Sequence, residues 1–141
     1  LDDASSGSIQ IGEAIRAVLL PYDRDGERLE LIGNGVRMPF TTISIVGLIL
    51  HELAANATKH GAWSQDEGRV AVEWKASEDG AALVIVWTER GGPLLESDAV
   101  SSGTGTAIVD RLLATGRGRI EREWTPEGLT ATITVPARKQ E

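Results

Sequence analysis

The chain has 141 residues and a mass of 15.0 kDa, which is room for one ordinary domain. Hydrophobic residues make up 41% and charged residues 25%, which excludes intrinsic disorder and low-complexity sequence as the main organisation. A net charge of −7 argues against a broad nucleic-acid-binding face, and the absence of cysteine excludes disulfides, zinc ribbons and thiol catalysis.

The opening Leu1-Asp2-Asp3-Ala4-Ser5-Ser6 is acidic and polar, unlike a secretory signal, so residues 1–7 read as a tether. No uninterrupted apolar run approaches ~20 residues, so no membrane span is expected, and a cytoplasmic setting fits. From Ser8, Ile11, Ile15, Val18 and Leu19 fall at helical spacing, and Pro21 stops that helix. Arg28 to Ile32 alternates as a short strand leading into the turn Gly33-Asn34-Gly35. Residues 41–60 carry the clearest amphipathic stripe, with Ile43, Val46, Leu50, Leu53 and Ala57 three or four apart and Gly61 placed as terminator.

Two strands follow, Arg69–Lys75 and Ala82–Glu89, divided by Glu78-Asp79-Gly80. The second contains the apolar run Leu83-Val84-Ile85-Val86-Trp87, as expected of a strand buried on both faces. A Gly/Ser-rich stretch then leads to a helix over Thr104–Thr115, and strands Arg119–Trp124 and Leu129–Val135 close the chain around Pro126-Glu127-Gly128. Hairpins mixed with crossovers predict an α/β two-layer sandwich, a mixed sheet with helices on one face. The domain is expected to occupy 8–137, with 138–141 as a tail.

Chemistry-bearing residues concentrate at three places. On the long helix, Glu52, Asn56, Lys59 and His60 line one edge that the apolar stripe does not explain. A solvated Glu–Lys face is the plain alternative, but Asn is a poor helix former and an odd choice there. His51-Glu52 is not a zincin motif, because position 55 is Ala55, and two histidines cannot make a three-histidine metal site. Neither a P-loop nor a Rossmann glycine signature is present. Gly103-Thr104-Gly105-Thr106 opens a helix, where free N–H groups suit an anion. Trp87-x-Glu89-x-Gly91-Gly92 ends an apolar strand with a carboxylate, which is either a nucleobase acceptor or a solvated strand-end acid.

Taken together, these segments resemble a known family. His51-Glu52-Leu53-Ala54-Ala55-Asn56-Ala57-Thr58-Lys59-His60-Gly61-Ala62 is similar to the N box of sensor histidine kinases. Glu89-Arg90-Gly91 sits where their D-x-G box lies, and Gly103-Thr104-Gly105-Thr106 matches their second glycine box. The N-box His51 and the Trp87-x-Glu89 pair are the marks of the HWE subfamily. His60 stands where Tyr is commoner, Thr104 where Phe is usual and Trp63 where Leu is usual. Of these departures, His60 and Thr104 border the expected nucleotide site.

The resemblance implies a Bergerat-type ATP-binding fold that takes ATP and Mg²⁺. It implies that Asn56 coordinates Mg²⁺, that Glu52 polarises or orients through water, and that Lys59 touches phosphate. His60 would border the nucleotide, Glu89 would hold the adenine amino group and Gly91 would permit close approach to the base. Gly103, Gly105 and Thr106 would give amides to the phosphates, with residues 91–103 as the ATP lid. The implied reaction moves the γ-phosphoryl to a histidine on a dimerisation helix pair of the same kinase, with a response regulator downstream. That acceptor is expected outside this chain, because His51 and His60 lie within the ATP-site motif. Two rivals remain open, an anti-sigma-type serine kinase and a non-catalytic nucleotide-binding module.

Overall fold

Alternation of buried and half-buried side chains along the strands from Arg69 onward sets one face of a sheet against two helices. The computed structural model describes residues 8–23, 26–33, 35–93, 111 and 118–136. The expected tether, the tail, most of the stretch expected as the ATP lid and nearly all of the Thr104–Thr115 helix lie outside these residues.

In chain order the elements are β1 (Ser8–Gln10), α1 (Ile11–Leu19), β2 (Leu29–Gly33), β3 (Arg37–Pro39), α2 (Phe40–Lys59), β4 (Arg69–Ala76), β5 (Ala82–Arg90), β6 (Arg119–Thr125) and β7 (Gly128–Pro136). Single 3-10 turns cover Leu20–Tyr22 and Ala62–Ser64. Five strands form one sheet in the order β2-β4-β5-β7-β6, with β2 and β4 parallel and the other pairs antiparallel. The mixed sheet and its two-layer architecture agree with the sequence expectation.

The core lies between this sheet and the helices. Ile11, Ile15 and Leu19 of α1 and Val46, Ile49, Leu50, Leu53, Ala54 and Ala57 of α2 meet Val72, Trp74, Ile85, Trp87, Ile133 and Val135 of the strands. Each large side chain buried there contributes roughly 1.5–3 kcal/mol. Averaged over 18 residues, α2 reaches a mean hydropathy of 1.4, so by length and composition it passes the test for a membrane span. Its apolar stripe instead packs on the sheet, and its other faces carry His51, Glu52 and Lys59.

Four local details differ from the sequence reading. The run Leu83–Trp87 is buried on one face only, with Val84, Val86 and Thr88 half-buried between the flanking strands β4 and β7. The second face carries no helix among the described residues, so apolar content there reflects β propensity rather than a second core. Short β1 and β3 pair antiparallel from Ser8↔Pro39 to Gln10↔Arg37, too brief to leave a periodic signal. Pro21 lies inside the 3-10 turn rather than ending α1 directly, since proline suits a first helical turn. Gly33 is the last residue of β2, and glycine is needed there because a Cβ would collide with the Trp74 indole.

Candidate functional site

The outer edge of α2 carries the polar row where helical spacing puts it. Glu52 and Asn56 are half-buried, and Lys59 and His60 are exposed at the end of the helix. Among the described residues, no hydrogen bond or ion pair engages the side chains of Glu52, Asn56 or Lys59. A Glu–Lys ladder is therefore not what this face is for. The Asn56 backbone carbonyl accepts the N–H groups of His60 at 2.8 Å and Gly61 at 3.1 Å, closing the helix. Lys59 complements the negative end of the helix dipole.

Gly61 does not act as a left-handed terminator. Its φ is −106°, and glycine is required for space: a Cβ would strike Glu89 Oε1 and lie 3.1 Å from Ala57 Cα. The end of the N-box segment is thus pressed onto the carboxylate of β5.

Glu89 is the one buried charged residue among those described, with 5% of its surface exposed. This removes the solvated strand-end alternative. Residues two apart on a strand share a face, so Trp87 stands beside it. The Trp87 indole Nε1–H donates to Oε2 at 2.8 Å, and the Ala62 N–H donates to Oε1 at 3.1 Å. Burial pushes the Glu89 carboxyl above its ordinary 4.5, while these two donors pull it back down.

The loop covering Glu89 is clamped from several sides. Arg28 donates from Nε to the Gly68 carbonyl at 3.3 Å and from its guanidinium to the Gln65 carbonyl. In return, the Trp63 indole donates to the Arg28 carbonyl at 3.0 Å. Trp63 stacks on Tyr22, with centroids 5.7 Å apart, and meets Trp87 edge-on at 5.9 Å. Trp63 therefore borders the site together with Arg28, Tyr22 and Ala62. Sequence alone marks Trp63 only as a tryptophan where leucine is usual, with no place beside the site. Gly91, with φ +80°, is the point where β5 leaves beneath this loop, and a Cβ would come within 2.7 Å of the Glu67 carbonyl. The protein's own backbone already demands glycine there. Gly103, Gly105, Thr104 and Thr106 lie outside the described residues.

A pocket on the opposite, open face of the sheet is lined by Arg28, Glu30, Arg69, Thr88 and Arg90, among others. Arg28 and Arg69 both donate to the Gly68 carbonyl, Arg69 at 3.0 Å, so these two guanidiniums hold the turn.

No family model matches the chain. Over 144 aligned residues it is 37% identical to blue-light-activated histidine kinase 1 of Erythrobacter litoralis, covering all of this chain and 39% of that protein. It is 34% identical to a blue-light-activated histidine kinase of Rhizobium johnstonii, over 92% of this chain and 37% of the relative. The chain thus spans well under half the length of these curated relatives. It superimposes on the solved Erythrobacter litoralis blue-light-activated histidine kinase with a TM-score of 0.78 at 19% identity, covering 94% of this chain and 43% of that one. On the mycobacterial sensor histidine kinase MprB the TM-score is 0.71 at 21% identity, with 94% and 99% covered. The chain is homologous to part of these blue-light-activated histidine kinases, and it shares its fold with solved histidine kinase structures.

In this domain residues 51–62 and the Trp87-x-Glu89 segment are one physical unit, joined through Glu89. The buried acid has a thermodynamic signature. Above pH 4.5 an unfolded Glu89 releases its proton, whereas the folded one keeps it until the pH passes its raised value. Within that window the folded state holds more protons, so stability from this group falls as pH rises. Urea unfolding of the parent and of Glu89→Gln across the window should show the parent losing stability relative to the variant as pH increases. A difference that does not change with pH would contradict the buried-acid assignment.

Proposed function

We propose that the domain binds Mg-ATP along the outer edge of α2 and transfers the γ-phosphoryl to a histidine on a helical segment of the same kinase, in the cytoplasm. A response regulator would then receive the phosphoryl group. The observation carrying this reading is the pairing of an unengaged Asn56 side chain with a buried Glu89 carboxylate that reaches the end of the same helix segment. Among the described residues, no hydrogen bond of the fold engages the Asn56 side chain, and Glu89 is the one charged residue buried.

Each residue has a physical task. A carboxylate accepts and cannot donate, so Glu89 suits the exocyclic N–H of adenine and faces the guanine oxygen unfavourably. The Asn56 amide oxygen is a hard ligand atom on a half-buried residue, without a partner among the described residues, which fits Mg²⁺. When bound, the metal would neutralise charge on the phosphate oxygens. Lys59 brings a cation to the phosphates, and Glu52, one turn before Asn56, orients water. His60 closes the edge beside the nucleotide, and amides of Gly103, Gly105 and Thr106 would meet the phosphates. Catalysis here is mostly positioning and charge compensation.

The test supplies radiolabelled ATP and a separate dimerisation helix pair carrying its histidine. The expected result is acid-labile, base-stable phosphate on the helix pair and none on His51 or His60. Acid-stable label on a serine of the partner would favour an anti-sigma-type kinase. ATP binding with no transfer to any histidine-bearing segment would leave a nucleotide-binding module.

A further inference from the structure

A continuous path of rings runs from the outer side of α2 to the buried carboxylate. His51 meets Tyr22 edge to face at 6.1 Å, and Tyr22 lies parallel to Trp63, with an interplanar angle of 9°. Trp63 meets Trp87 at 75°, and Trp87 donates to Glu89. Trp87 is fully buried, so its indole N–H has no water to turn to and its plane is set by packing.

We propose that Trp87 is a positioning residue for base recognition: its indole N–H, aimed by the edge contact with Trp63, locks the Glu89 carboxylate against the Ala62 N–H. This rests on the reading of Glu89 as the adenine acceptor. A carboxylate offers about four acceptor positions, and the two protein donors fill one on each oxygen. Among the described residues no further donor reaches the carboxylate, so its remaining positions go, in this proposal, to a ligand's N–H. His51 and Tyr22 brace the far end of the ring path, which ties the two family marks, the N-box histidine and the Trp-x-Glu pair, into one assembly.

The indole also supports the charged form of Glu89 against burial. No ionisable side chain competes in this role among the described residues. Val70 stands opposite on β4, Gly61 and Ala62 cover the carboxylate from the loop, and Gly128 of β7 approaches the Glu89 carbonyl. His60 and Arg90, the nearest such residues in sequence on the two segments, are exposed. Loss of the indole donor should therefore favour protonation, and a protonated acid offers adenine a donor where an acceptor is needed.

Competition of ATP and GTP against a fluorescent ATP analogue, from mildly acidic to mildly alkaline pH, tests this in the whole chain. Trp87→Phe keeps a ring against Trp63 but removes the donor. It should weaken ATP by about tenfold at neutral pH, narrow the ATP-to-GTP ratio and move the acid limb of ATP binding to higher pH. Glu89→Gln should narrow the ratio and abolish the acid limb, and adding Trp87→Phe to it should cause little further loss. A Trp87→Phe protein with the parental ratio and pH profile overturns the proposal, while the Glu89 reading survives if Glu89→Gln has moved the ratio. An unchanged ratio in Glu89→Gln removes the Glu89 reading, and the proposal with it. Should Trp87→Phe fail to fold, the benzothienyl analogue of tryptophan at position 87 replaces N–H by sulfur at nearly constant shape, with the same expected and overturning results.

Discussion

Asn56→Ala should weaken Mg-ATP binding by roughly a hundredfold while leaving the fold intact. The magnitude follows from removing a direct oxygen ligand from a small, hard cation that has few protein contacts to lose. The fold should tolerate the change because the Asn56 side chain has no partner among the described residues, and its helix-closing carbonyl belongs to the backbone. Alanine is also the better helix former, by up to about 0.7 kcal/mol. Calorimetry with ATP in magnesium and in EDTA separates the outcomes. The loss should be confined to the magnesium arm, and equal affinities in magnesium would remove Asn56 from the metal.

Gly68→Ala should be severely destabilising. A Cβ at Gly68 would fall on the backbone carbonyl of Ala62, and backbone cannot rotate aside as a side chain can. Overpacking of this kind costs about 3 kcal/mol or more when the main chain must shift. Gly26→Ala is the control: φ is +74°, with no atom within 4 Å of the added carbon, so only the local conformational penalty of ~1–2 kcal/mol applies. Urea midpoints should drop much further for Gly68→Ala than for Gly26→Ala. Similar midpoints would mean that the 61–68 loop can lift off the sheet at little expense.

The sheet, the long helix and the polar row on it were legible because each rests on a period. Strand alternation and three-to-four spacing are properties of neighbouring residues, so Val70 to Trp74 or Leu50 to Ala57 carry their own evidence. What sequence could not supply was anything decided by a contact between distant segments. Gly61 looked like a helix stop, whereas the reason for glycine is the carboxylate of a residue 28 positions later. At Gly91 the positive φ and the nearby Glu67 carbonyl are reasons for glycine that the sequence does not display. Trp63 was visible only as an unusual residue, and its contact with Trp87 depends on how the loop lands on β5. The Trp-x-Glu pair lay between these cases. Its shared face follows from period two, but its burial follows from the loop above it.

The edge contact between Trp63 and Trp87 also has an optical consequence. The chain has four tryptophans, and these two hold their rings at 75° with centroids 5.9 Å apart. Two close indoles in a fixed, asymmetric arrangement couple their transitions and give a signed band in near-ultraviolet circular dichroism. Such a band disappears when tertiary packing is lost even if secondary structure persists. One of the rings belongs to the loop and the other to the sheet, so the band reads the seating of the first on the second. The domain thus carries a label-free reporter placed one hydrogen bond from the Glu89 carboxylate.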